Sequence, residues 1–489
     1  MSRAVRGRVE GSPPRPGPIL AIILSSYFMI LLDNSVVFTG LPSIRADLDL
    51  SATQLSWVQD AYTLVFGGLL LLGARAGDIL GRRRLFVFGL VVFGVASALI
   101  GLAPTGWWII AARALQGIGA AIVAPTSLAL TTAYFDGEAR ARAVAWYAAT
   151  AGIGASLGLL VGGALTDLFS WRAAFLVNVP IAVAMVIGAR AVLTETPRRP
   201  GRFDVTGAVC ATLGVGALVF GTIESAESGW VSPRVLTAFT LAVVLLAAPV
   251  VNEGRVPQPI LPLRLFASPE RSGAYAARML YLGAMIGFFY FTTQLMQDGF
   301  GFTPLQAGLG FLPMTLVNFV VALAIPRLSR VVPTPVLLAA GTATTLVGMA
   351  WLSRTAAEGP YLASVAAPMV LIGAGQGLAF APLTSSGIAG VDAADAGAAS
   401  GVVNTAHQLG MALGLGVLVT VSAHAGNVLS GPAVVTKQVR VALTGGSVLL
   451  AVALIASLAV ILPAHRRAGV RALGGPPVAV AARPLGSDG

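Results

Sequence analysis

The chain has 489 residues, a formal net charge of +11, 56% hydrophobic residues and only 10% charged ones, and its mean hydropathy is +0.84. Soluble proteins carry about 25% charged residues, and a compact fold still exposes much of its surface to water, so a soluble globular enzyme and a disordered chain are both excluded. What remains is a polytopic membrane protein with lipid against its apolar faces, whose basic balance reads as arginine gathered in loops rather than as a nucleic-acid surface.

In chain order, a basic tail with Arg3, Arg6, Arg8 and Arg15 leads into an apolar run from Ile19 to Pro42. That run has no small-x-small cleavage site, so it reads as a first span and not as a signal peptide. Further apolar runs lie near 55–73, 85–103, 107–134, 143–165, 173–193, 205–223, 235–251, 273–296, 306–326, 334–353, 361–386, 397–422 and 440–462. That makes fourteen spans, long enough and lacking the alternation of barrel strands, hence helices. Roughly 22 basic residues fall in the termini and loops on one side and about 6 on the other, which places both termini in the cytoplasm and requires an even number of spans. The single cysteine, Cys210, forms no internal disulfide.

The expected layout is all-α. A cytoplasmic tail covers 1–18 and a six-helix bundle 19–194. A linker with two extra spans covers 195–272, a second six-helix bundle 273–462, and a second cytoplasmic tail 463–489. A faint repeat supports two related halves: Ala124-Pro125-Thr126-Ser127 ends the fourth span and Ala381-Pro382-Leu383-Thr384-Ser385 ends the twelfth. Duplicated halves are how many secondary transporters are built.

Charges inside a span cost roughly 2.5–3.5 kcal/mol each, so they are the first functional candidates. Asp33 lies about 12 Å from the outer end of the first span and Arg113 about 9 Å into the fourth. Asp60 in the second span sits at a comparable depth. Opposite charges at one level can neutralise one another; the competing reading is a purely structural polar cluster. Burial makes a carboxylate hold its proton, while a nearby arginine opposes this. A carboxylate whose cation moves during a cycle is therefore a proton site. Arg113, Gln116, Gly117 and Ala120 share one helix face. Gly154, Gly158 and Gly162, with Gly163, form a small-residue stripe for close helix packing. His407, beside Asn404 and Gln408, reads either as a proton carrier or as a hydrogen-bonded helix contact. Arg278 is expected to snorkel to the cytoplasm. Asn34, Tyr62, Gln116, Gln294, Gln297, Gln376, Asn404 and His407 are candidates to line a substrate cavity. The aromatic run Phe288 to Phe291 suits a cavity wall or lipid-facing packing.

The chain has no Walker phosphate loop, no metal-ligand spacing and no nucleophile elbow. It is read as no enzyme, with no cofactor and no bound metal, and its energy source as an ion gradient.

Several stretches resemble a known family. Gly73-Ala-Arg75-Ala-Gly77-Asp78-Ile-Leu-Gly81-Arg82-Arg83-Arg84 is similar to the major facilitator signature between the second and third spans. Leu32-Asp33-Asn34-Ser35-Val36-Val37 through Leu41-Pro42 resembles the first-helix motif of the family's drug:proton antiporter branch with fourteen spans. Arg113-Ala-Leu-Gln116-Gly117-Ile-Gly119 resembles its fourth-helix motif, and Gly154 to Gly163 its antiporter motif, with Leu159 where a proline is usual. Trp171-Arg172, Asn178-Val179-Pro180 and Thr303-Pro304 fit the same branch. The resemblance implies a major facilitator fold and export of drugs, antibiotics or an endogenous secondary metabolite by alternating access. Protons and a small amphipathic molecule would be its partners, and a monomer in the bacterial cytoplasmic membrane its setting. Asp33, Arg113 and Asp60 would couple protons; Asp78, Gly81, Arg82 and Arg83 would govern an inner gate. Leu159 leaves proton-symport import open as a rival, and a membrane sensor without transport is a second one.

Overall fold

The computed structural model describes residues 16–196, 198, 205–252, 263–354, 359–392, 395–423, 425 and 432–467. Most of both expected tails and parts of the expected linker lie outside the described residues, as do Arg199, Arg202, Arg255, Arg471 and Arg483 from the set that orients the chain.

The first half contains α1 (Pro16–Leu48), α2 (Ala52–Leu80), α3 (Arg82–Gly101), α4 (Gly106–Tyr134), α5 (Gly137–Leu168), α6 (Trp171–Leu176) and α7 (Asn178–Val192). Next come α8 (Val205–Ser228) and α9 (Pro233–Asn252). The second half contains α10 (Pro269–Gln294), α11 (Pro304–Gly310), α12 (Leu312–Leu328), α13 (Thr334–Leu352), α14 (Ala367–Gly387), α15 (Ala396–Ala423) and α16 (Pro432–Ala456). Among the described residues, 12 stretches are long and apolar enough to cross a membrane, with Leu157–Leu168 and Pro233–Ala248 as shorter apolar segments. The two shorter segments belong to α5 and α9.

Local chemistry sets the helix starts. Ser51 and Gln54 close a capping box at α2 with bonds of 3.2 and 3.1 Å, and Thr303 and Gln306 do the same at α11. Each box satisfies amides that the first turn leaves unpaired. Gly81, at φ +107°, makes the break between α2 and α3, a conformation that side chains with a Cβ resist.

Within the first half, α5 lies along α1. A Cβ at Gly154 would stand 2.9 Å from Leu31, at Gly158 2.7 Å from the Leu32 carbonyl oxygen, and at Gly162 2.7 Å from the Val36 Cα. Their lack of side chains thus lets α5 rest on the backbone of the helix that carries Asp33. Gly163 faces elsewhere: its Cβ would lie 2.5 Å from the Pro304 carbonyl oxygen of α11, in the other half.

The two halves join at the face bearing Leu48. Phe38 stacks on Phe289 at 5.5 Å, Gln297 Nε2 donates to the Thr39 carbonyl at 2.9 Å, and Thr303 donates to Asp167 at 2.9 Å. Arg45 and Asp298 approach to 3.6 Å. A continuous apolar core there spans Val37, Phe38 and Leu41 of α1 together with Phe288, Tyr290 and Phe291 of α10. Toward the opposite face, which carries Gly81 and the two ends of the described chain, Pro16 and Arg467, α5 and α12 touch only sparsely. The structure is therefore closed at the Leu48 face. Gly163→Val should hinder that closure by overpacking, at a cost of about 1–3 kcal/mol. Oxidative cross-linking of cysteines placed at Thr39 and Gln297, in a background lacking Cys210, should fall at least about fivefold; undiminished cross-linking would show that α5 and α11 adjust freely.

The α8–α9 pair sits outside both bundles. Val215, Val219 and Ile223 of α8 pack with Leu64 of α2 and Ala412 of α15, and Thr420 Oγ1 donates to the Thr222 carbonyl at 2.8 Å.

Candidate functional site

Asp33 lies inside the first half with no exposed surface. Its Oδ2 pairs with Arg113 Nη1 at 2.9 Å. Its Oδ1 accepts from Gln116 Nε2 at 2.9 Å and from Asn178 Nδ2 at 2.6 Å. Arg113, also fully buried, donates from Nε to the Val58 carbonyl at 3.0 Å and from Nη1 to Gln116 Oε1 at 2.6 Å. Gln116 Nε2 also reaches Ser97 at 2.8 Å. The guanidinium carbon lies 4.2 Å from the Tyr62 ring centroid, a contact worth roughly 2 kcal/mol where water is excluded. One ion pair thus ties together α1, α2, α3, α4 and α7.

The helices make this convergence possible. Arg113 and Gln116 stand three residues apart on α4 and so face one way. Asn178 starts α7 where the sixth span breaks after Val177, and the break lets its side chain reach Asp33. Asn178, Ser97 and the Val58 carbonyl were not among the expected site residues. An amide next to Pro180 in an apolar stretch was the available signal for Asn178.

Gln116 and Tyr62, expected at a cavity wall, are instead fully buried in the Asp33 network. Asp60 shows no bond to Arg113; it is fully buried with neither carboxylate oxygen hydrogen-bonded. Asn34 is partly exposed and accepts from Gln59 Nε2 at 3.3 Å. Gln294 Nε2 turns back to the Tyr290 carbonyl of its own helix at 3.2 Å, and Gln297 serves the closed face. Asn404 is exposed, Gln376 is half-buried, and His407 Nδ1 meets Arg278 at 3.1 Å. Arg278 does not snorkel: it is 3% exposed, because polar groups on α14 and α15 reach it inside the bundle.

At the Gly81 break, Arg82 donates from Nε and Nη2 to Asp78 at 3.0 and 2.7 Å, and from Nη1 to the Ala129 carbonyl at 3.0 Å. Arg83 Nη2 donates to the Arg190 carbonyl at 2.7 Å. Two first-turn amides of α3, those of Arg83 and Arg84, each donate to Glu195 at 3.1 Å. Glu195 escaped sequence reading because it lies more than a hundred residues away and caps α3 only in the fold. A carboxylate there also complements the positive end of the helix. Glu195→Ala should lower stability by about 1 kcal/mol, read as a small drop in Tm of the detergent-purified protein; no change would mean water caps α3 equally well. In the second half, Arg264 grips Asp395 with two bonds of 2.7 and 2.6 Å, and these hydrogen bonds hold the Asp395 carboxyl below the usual carboxylate range. The pair's contribution is present at neutral pH and is lost only as pH falls through that lowered value.

The Major Facilitator Superfamily family model matches residues 23–415. The chain belongs to the major facilitator superfamily. This superfamily member is 40% identical over 455 residues to the cephamycin export protein of Amycolatopsis lactamdurans, covering 92% of this chain and 93% of that protein. It is 40% identical over 426 residues to the puromycin resistance protein of Streptomyces alboniger, covering 84% and 83%. It is 34% identical over 427 residues to a multidrug efflux pump of Mycolicibacterium smegmatis, covering 86% and 84%. A bacterial homolog of the human lysosomal transporter Spinster shares the fold, with TM-score 0.68 at 15% identity over 93% of this chain and 99% of that one. This major facilitator is thus a multi-pass membrane transporter and not an enzyme.

Proposed function

We propose that this transporter exports drugs, antibiotics or a secondary metabolite across the bacterial cytoplasmic membrane in exchange for protons. Export and resistance are what the curated relatives are named for. The observation that carries the proton coupling is the buried Asp33–Arg113 pair at 2.9 Å. An ion pair sealed from water is costly to keep, and leaving either partner alone costs more. A proton on Asp33 removes the need for Arg113, and a displaced Arg113 favours that proton. The network runs through five helices, so a change at Asp33 alters how they pack. Proton binding can shift the two-state balance only through such a difference between states. Asp60, buried without a hydrogen-bond partner, is a second proton acceptor.

In this reading, residues 19–194 and 273–462 rock against each other as two bundles, joined by the linker 195–272. Asp78, Gly81, Arg82 and Arg83 act at the inner gate, and Asn34, Gln294, Gln376, Asn404 and His407 border the path. α5 and α9 supply the two spans beyond twelve, giving fourteen. The arginine-rich chain-end face is cytoplasmic, so the closed Leu48 face is the outer one. A monomer suffices.

The test is a pH-sensitive dye inside everted vesicles holding an acid interior. Addition of drug should release protons only when the transporter is present. Proton uptake together with drug would indicate symport, and drug binding without any proton flux would indicate a sensor.

A further inference from the structure

Among the described residues two arginines are buried in the helical interior, and their surroundings differ. Arg113 has a carboxylate partner. Arg278 of α10 has none within ion-pair distance among the described residues, although it is 3% exposed. Its contacts are neutral groups. Nη1 donates to Thr384 Oγ1 at 2.9 Å, and Nη2 meets His407 Nδ1 at 3.1 Å. The Phe380 ring lies 4.9 Å from the guanidinium carbon and meets the His407 ring edge-on at 5.9 Å. The Nε–H is buried and has no partner.

Among the described residues no acid pairs with it: Glu270, eight residues earlier on the same helix and about 12 Å away, meets His465 Nδ1 at 3.0 Å. Between residues 273 and 462 the acids are Asp298, Glu358, Asp392 and Asp395. Asp298 lies about 30 Å further along the same helical stretch and faces Arg45. Asp395 is held by Arg264, and Asp392 precedes α15 at the chain-end face, about 20 Å along the helix from His407. Glu358 lies outside the described residues. A buried cation without a counter-charge is among the costliest features a membrane protein can keep.

The surroundings point to a ligand as that counter-charge. Gln376, Phe380 and Thr384 recur every fourth residue on one face of α14, and Asn404, His407 and Gln408 share a face of α15. That face of α15 borders the junction between the halves: Gln408 abuts Gly67 of α2, and Asn404, one turn away, is exposed. Phe380 keeps 37% of its surface open beside the cation. A guanidinium with a free N–H, a hydroxyl and an imidazole fit a planar carboxylate, and the aromatic face suits an apolar body next to it.

We propose that Arg278, with Thr384 and His407, binds the carboxylate of an anionic export substrate, Phe380 packing against its apolar part. This rests on the export function proposed above and narrows its substrate class. The full-length protein is reconstituted and offered three probes: a cephalosporin carboxylate, its methyl ester and the ethidium cation. Wild type should move the acid in preference to the ester. Arg278→Gln should lower acid transport at least about tenfold and leave ester and ethidium transport within about twofold. Arg278→Lys, which keeps the charge but loses the fork, should fall between. In detergent, the acid but not the ester should raise the Tm of wild type and fail to do so for Arg278→Gln. Should Arg278→Gln not fold, the Arg278→Lys melting series decides in its place. The proposal is overturned if acid transport or acid-induced stabilisation survives these substitutions, or if all three probes are lost alike from a folded variant. It is also overturned if phosphatidylglycerol, and not the acid, gives the Arg278-dependent stabilisation, since the anion would then be a lipid headgroup. A wild type that moves no probe refutes the export reading, while the melting series still judges the anion site.

Discussion

Asp33→Asn should reduce drug-driven proton release to the level of protein-free vesicles, a loss of at least about a hundredfold. Asparagine is nearly isosteric, and its amide oxygen can still accept from Gln116 and Asn178, which bond Oδ1 at 2.9 and 2.6 Å. What disappears is the charge opposite Arg113. An unpaired buried guanidinium costs about 3–5 kcal/mol, softened here by its bonds to Val58 and Gln116 and by the Tyr62 ring. The variant should therefore still reach the membrane, with a lower Tm. Drug-driven proton release at the wild-type rate from this variant would move the coupling site away from Asp33, with Asp60 the next residue to replace.

Arg113→Ala should be the more damaging change to the fold. Arg113 heads the fully buried side chains by size. Its removal leaves a cavity, a Val58 carbonyl without its second donor and an uncompensated carboxylate. The charge alone accounts for about 3–5 kcal/mol, and the cavity adds to it. Little folded protein should accumulate. Pairing Arg113→Met with Asp33→Asn should recover most of the stability, because a buried ion pair replaced by uncharged groups of similar volume is often neutral. The double variant should nonetheless show no coupled transport. Melting curves of the two single variants and the double variant form a cycle that measures the pair directly. If the double variant is no more stable than Arg113→Ala, packing and not charge dominates at this site.

The helical membrane architecture was legible in composition and run length, since lipid leaves the backbone few alternatives. Asp33 and Arg113 were legible as well, because a charge in a span is conspicuous. What sequence could not supply was which groups meet. Asp60 shares their depth along the sequence but makes no bond to Arg113. Gln116 carries an amide that suits a cavity wall, yet it is consumed by the ion pair, and Tyr62 turns its ring to Arg113. Asn178 and Glu195 act across separations of well over a hundred residues, through a helix break and a helix N-terminus that have no periodic signature. Arg278 was misjudged because distance from a span end says nothing of what neighbouring helices offer. Thr384 and His407 outbid the aqueous phase only once α14 and α15 are in place.

The helix pair α8–α9 leaves the molecule unequal from side to side. By lying over Leu64 of α2 and Ala412 of α15, it shutters the seam between the bundles on that flank, while the seam beside α5 and α12 has no such cover among the described residues. On the export reading proposed above, a lipid-soluble compound entering between the bundles would pass α5 and α12 rather than α8 and α9.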